Sequence, residues 1–248
     1  MATRRKKTPG KAMAARKGTN VVNIDQQLSQ EAEGIMDTIG TPATNSISVK
    51  DKMFSFPDGT VDPGPIQIVI VDYLSKNMFY QGKWDPKNPQ PPVCFAIGTK
   101  PKELIPSANS PEAQCSDCAS CALNQFGSDG DGKACKNTRF LAVLPADAEA
   151  DTPIMTLSVS PTAIKNFDAY VATIAKLFQA PPLKVITEVS FHPEKTHAQL
   201  VFGNPQPNPD YATHFARREE ARVLLNTEPD TSSYVSEKPK KRAGGRRR

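Results

Sequence analysis

Cys115, Cys118 and Cys121 stand three residues apart, and Cys135 follows after thirteen more, so four of the chain's five cysteines fall within twenty-one positions. Three thiols in one tight loop and a fourth returned by a turn suit a tetrahedral ion, which needs four soft donors about 2.3 Å from the metal. The intervening "GSDGDG" holds Gly127, Gly130 and Gly132, residues that tolerate the positive φ such turns require. Structural Zn2+ on Cys115, Cys118, Cys121 and Cys135 is the reading these spacings favour, with no position left for water. An iron–sulfur cluster is the second reading, since x2 spacings also serve such clusters. No Pro follows Cys135, however, and no flavin, haem or radical motif accompanies it. A disulfide or free thiols come third, because x2 clusters in a reducing compartment read as metal ligands. Cys94, within "VCFAI", reads as a buried small hydrophobe.

Two look-alikes fall away. Gly127-x4-Gly132-Lys133 has the glycines and lysine of a phosphate loop, but Ala134 stands where the magnesium-binding hydroxyl belongs. Asp129 and Asp131 suggest a calcium loop, yet the closing twelfth position is Phe140 rather than Glu. No nucleophile–base pair or open metal site emerges. The chain is therefore expected not to be an enzyme.

A second group of residues could bind rather than react. "DYLSKNMFYQGKWDPKNPQPPVCF" interleaves Tyr73, Phe79, Tyr80, Trp84 and Phe95 with Lys76, Lys83 and Lys87. Single-stranded nucleic acid needs flat rings for its bases and cations for its backbone, each stacked base being worth roughly 1–3 kcal/mol. The alternative is that these rings are ordinary core. Lys133, Lys136 and Arg139 form a second basic group around Cys135 and could lie against phosphates.

The elements that must position these residues are mostly strands. "PIQIVIVDY", "PVCFAIG", "TRFLAVLP", "PIMTLSVSP", "LKVITEVSF" and "AQLVFG" have strand texture and turn-forming ends. One strong helix follows Ser160 and Pro161, a predicted N-cap and first position, with Ile164, Phe167, Val171, Ile174 and Phe178 on one face. The expectation is a β-rich α+β domain over residues 46–205, with the metal-binding insertion at 111–138. A basic disordered arm with a weak helix occupies 1–45. A polar helix outside the core and a basic disordered tail occupy 206–248.

Charge sharpens this division. Residues 1–19 carry seven Lys/Arg and no acid, and residues 236–248 carry seven Lys/Arg and one Glu. The 216 residues between them hold 17 basic and 25 acidic side chains, a net of −8. Such tails are the usual footprint of nucleic-acid contact, where each neutralised phosphate releases counterions; the alternative is a solvated solubility tail or, for "KPKKR", a localisation signal. No apolar run reaches the roughly 20 residues that span a bilayer, and no hydrophobic segment follows the N-terminal charges. A soluble, intracellular protein is expected, with no membrane partner.

The blocks "FYQGKWDPKNPQPPVCFAIG", "CSDCASCALNQFGSDGDGKACKNTRFLAVL" and "LSVSPTAIKNFDAYVATIAKL", with "ITEVSF" before "AQLVFG", resemble a family of tailed-bacteriophage single-stranded-DNA-binding proteins. The resemblance covers about residues 46–205 and is most specific at the cysteines. It implies an OB-like barrel that coats single-stranded DNA during phage replication, recombination or repair, alongside phage replication or recombination proteins, in the cytoplasm of an infected bacterium. It also implicates Cys115, Cys118, Cys121 and Cys135 as metal ligands. Many single-strand binders end in an acidic tail that recruits partners, whereas this chain ends in "GGRRR". Two rival readings remain: a basic-tailed DNA-packaging or virion-associated protein, and an iron–sulfur redox protein.

Overall fold

The computed structural model describes residues 45–82 and 89–234, all within one compact unit, Asn45–Arg248. Lys83, Trp84 and Lys87, the N-terminal arm where a weak helix is expected, and the basic end of the C-terminal tail lie outside the described residues.

The strands are β1 (Ser46–Lys50), β2 (Met53–Ser55), β3 (Val61–Asp62), β4 (Ile66–Phe79), β5 (Cys94–Gly98), β6 (Lys136–Pro145), β7 (Met155–Val159), β8 (Val185–Phe191) and β9 (Leu200–Pro207). They join in one sheet ordered β3-β2-β1-β7-β6-β4-β8-β9, with β5 also paired to β4. The β1–β7 pairing is parallel and the other pairings are antiparallel. The sheet curls into a half-barrel, a strand-rich α+β fold compatible with the OB-like expectation.

β4 organises the sheet. Its front half pairs with β8, its rear half with β5, and nearly its whole length with β6. Ile66, Ile68 and Ile70 face one core cluster, while Val69 and Val71 face a second. Both faces are covered, which is why residues 68–71 read as unbroken apolar sequence rather than an alternation. A bulge between Ile70 and Asp72 shifts the register, so that Tyr73 joins the first face and Leu74 the second.

The first face is roofed by α1 (Ile164–Phe178), which buries Phe167, Tyr170 and Ile174. Spacings of three and four residues put these on one stripe. A 3-10 turn over Pro161–Ala163 precedes the helix, and Ser160 Oγ meets Thr162 Oγ1 at 3.1 Å rather than capping a backbone N–H, unlike the N-cap expected. Phe178, expected on the apolar face, is 38% exposed at the helix end.

The second face is covered by the C-terminal segment that the sequence placed outside the core. α2 (Tyr211–Ala216) and α3 (Arg218–Leu225) follow β9, and Ala221 and Leu225 are buried among Val69, Val71, Ala142 and Leu144. Arg218 Nε and Arg222 Nε reach Asp72 Oδ2 at 2.8 and 3.2 Å, tying α3 to the bulge of β4. Burial works against the charge of Asp72, but the hydrogen bonds from Arg218, Tyr73 N–H and Arg222 hold its carboxyl below the ordinary range. The expected domain boundary at 205 therefore cuts through the core. Its physical limit lies beyond Leu225.

Candidate functional site

The sheet itself gathers the cysteines. Cys94 opens β5 opposite Phe79 of β4, and Lys136, directly after Cys135, opens β6 opposite Met78. The two strands thus flank the end of β4 and bring Cys94 and Cys135 together across it. The loop between them is held by its own side chains. Asp117 accepts from the N–H groups of Ala119 and Ser120, both at 2.9 Å. Asn124 Nδ2 donates to Cys118 O at 2.6 Å, and Gln125 Nε2 to Cys121 O at 3.1 Å. Backbone bonds from Cys118 N to Leu104 O and from Cys135 N to Leu123 O, each 2.9 Å, close the loop on itself.

All five cysteines line one cavity of about 10 Å³, room for a single atom-sized occupant. Cys94 thus belongs with the cluster; its burial was legible in the sequence and its company was not. Cys115 and Cys121 are paired as a disulfide with Cα atoms 5.7 Å apart, the arrangement the spacing ranked last. Cys94, Cys118 and Cys135 are free and buried. In this arrangement no group of three or more His, Cys, Asp or Glu among the described residues is set to hold a metal ion. Burial pushes the Cys135 thiol up to about 12 and raises that of Cys118, so both are poor nucleophiles in this state.

The predicted binding residues separate into two groups. Tyr73 packs edge-on against Phe167, with ring centroids 5.1 Å apart, and belongs to the core. Phe95 is also buried. Lys76 is 6% exposed; its Nζ lies 3.8 Å from the Phe140 ring centre and donates to Thr227 O at 3.2 Å. Burial lowers its amine to about 8. Arg139 is buried in a two-pronged pair with Asp168 of α1, Nε to Oδ1 at 3.0 Å and Nη2 to Oδ2 at 2.7 Å. Neither cation is presented to a phosphate. Phe79 is half-buried against the cysteines, and Tyr80 is 38% exposed with its hydroxyl on Met78 Sδ. Lys133 is half-buried with its Nζ 3.4 Å from Asn124 Oδ1, and Lys136 is exposed.

Those two lysines open onto a groove of about 670 Å³ between the cysteine loop and the start of α1. Phe126, 81% exposed, stands at its edge, with Lys133 Nζ 5.1 Å from the ring centre. Lys165, on the first turn of α1, lines the groove with Asn137, Thr162 and Ile164. Lys136 also pairs with Asp129 at 3.0 Å on the exposed surface. The groove therefore combines one unpacked ring with three amines. Phe126 lies in "NQFGSDG", where turn residues mask an aromatic, and Lys165 lies on a helix legible mainly for its apolar face. An aromatic flanked at strand spacing by Asn124 and Ser128, with no apolar partner on its C-terminal side, was the available signal.

Compared with known families, curated proteins and solved structures, the chain matches none.

Proposed function

We propose that this protein is a non-enzymatic binder of single-stranded DNA, and that the groove between the cysteine loop and α1 is its contact surface. The observation that carries this reading is Phe126, 81% exposed beside Lys133 and within one groove with Lys136 and Lys165. An exposed ring offers a base a stacking face without asking which base it is, and amines follow the backbone as point charges. The cation beside the ring restrains Phe126 before any base arrives, which lowers the cost of ordering it on binding. The half-barrel, completed as an OB-like domain, serves here as the frame that holds loop and helix apart. The resemblance to phage single-strand binders supports a role in phage DNA replication, recombination or repair in the infected host.

The test is fluorescence anisotropy with labelled oligo-dT and with duplex of equal length, at low and moderate salt. Phe126→Ala should weaken oligo-dT binding about 5- to 160-fold, the equivalent of one lost stack of roughly 1–3 kcal/mol. Reversing Lys133, Lys136 and Lys165 to Glu should weaken it further without changing base preference, since phosphate contacts position rather than specify. Unchanged affinity in both variants would remove the groove. Equal binding of duplex would move the protein to the packaging reading.

A further inference from the structure

Four of the five cysteines around the atom-sized cavity are buried, and they are not the four that sequence spacing selects. Cys94, Cys118, Cys121 and Cys135 are 8%, 5%, 7% and 9% exposed, whereas Cys115 is only half-buried. Cys94 is held by its pairing with Phe79 on one side of the end of β4, and Cys135, directly before β6 on the other side, by its N–H bond to Leu123 O at 2.9 Å. Cys118 and Cys121 come from one x2 turn whose carbonyls are held by Asn124 and Gln125. Two rigid donors plus one x2 pair is a sufficient frame for a closed tetrahedral site. Cys115 is carried on the loop's incoming strand of chain, outside that frame.

We propose that the protein binds one Zn2+ through Cys94, Cys118, Cys121 and Cys135, and that Cys115 is not a ligand. Two-electron reduction of the Cys115–Cys121 bond by a thiol reductant, itself oxidised to a disulfide, frees Cys121. The four ligand thiols then give up four protons to the solvent as four Zn–S bonds form. The surroundings suit the resulting net charge of −2. The buried Asn77 side chain favours the thiolate form of Cys118 and is itself oriented by Asn137 Nδ2, which donates to Asn77 Oδ1 at 2.7 Å. The positive charges of Lys133 and Lys136 favour the thiolate form of Cys135. This assignment stands whether or not the groove binds DNA.

The full chain, produced with zinc and purified under a thiol reductant, should contain one zinc per chain by elemental analysis. Cys115→Ser should keep that ion, and Cys94→Ser should lose it. Retention by Cys94→Ser together with loss by Cys115→Ser would return the site to the spacing-derived set and overturn the proposal. Zinc absent from every form, or iron with sulfide in its place, would overturn it at the level of the metal. Should Cys94→Ser fail to fold, the wild-type protein decides the matter by limited alkylation and native mass spectrometry. The singly alkylated, zinc-retaining species should carry its label on Cys115. A label on Cys115 that expels zinc, or on Cys94 with zinc retained, is the contrary result.

Discussion

Lys76 holds its ammonium near the end of α3, against the Phe140 ring and the Thr227 carbonyl, and no carboxylate among the described residues pairs with it. Its amine titrates near 8 in the fold and near 10.5 in the unfolded chain. Below 8 both states are charged and the fold carries the whole desolvation cost, about 3 kcal/mol. Between 8 and 10.5 the folded amine is neutral first, so the cost fades and stability rises with pH. Lys76→Met should therefore stabilise the protein at pH 7 by about 1–2 kcal/mol, the relief from desolvation outweighing the missing hydrogen bond and ring interaction. Its advantage over wild type should shrink as the pH is raised from 8 to 10, measured by urea unfolding. A constant difference across that range would show that the amine is not buried as described. Arg139 is the opposite case. Arg139→Ala strands Asp168 and should cost about 2 kcal/mol of stability, while binding of oligo-dT by the folded variant should match wild type. If binding falls with stability unchanged, Arg139 faces the nucleic acid instead. A lysine in the sequence reveals its charge and not its depth. That is why Lys76 and Arg139 looked equivalent to Lys133 and Lys136.

Among elements, α3 makes the sharpest contrast between sequence and fold. Of its sequence "REEARVLL", Ala221 and Leu225 are buried in the core and Leu224 packs partly against it, while the remaining side chains are exposed or form ion pairs. Two such residues give a weak periodic signal, so the helix read as peripheral. The decisive information lay instead in β4, whose apolar run demanded cover on both faces while the sequence named a roof for only one. Leu225→Ala should cost about 2–4 kcal/mol, as expected of a fully buried leucine. Ending the chain at residue 208 should leave the second face bare, raising dye binding and lowering the melting temperature. A truncated protein as stable as the full chain would make α2 and α3 dispensable. The elements most plainly written in the sequence are those with strong periodicity: α1 and the strands β4 to β9. The bulge at Ile70/Asp72 left no such mark, because it changes which face a residue joins without changing residue type. The cysteine loop was legible as a unit, but membership of Cys94 depends on strand pairing between β4 and β5. Spacing along the chain carries no record of it.

At the scale of the whole chain, charge and shape divide the work. The stretch between the basic ends has a net of −8, so long-range attraction for DNA should come mainly from residues 1–19 and 236–248. Deleting both ends should lower affinity for oligo-dT and flatten its salt dependence, by roughly 0.7 in logarithmic slope for each phosphate no longer neutralised. Preference for single strands over duplex should survive, because charge alone cannot tell exposed bases from stacked ones. Loss of all detectable single-strand binding at low salt would show instead that the folded unit reads nothing. β4 has another consequence, during synthesis of the chain. Its front half pairs with β8, so that Gln67 finds Glu188 across 121 residues of chain. At about 5–20 residues per second, a ribosome takes roughly 6–24 s to supply that partner. During this interval the β8-facing edge of residues 66–69 lacks its partner on the nascent chain, a ready template for neighbouring copies on the same message. Yield of native protein should thus depend on how quickly the nascent chain is shielded, and chaperones that hold such edges should raise it more than any ligand added after synthesis.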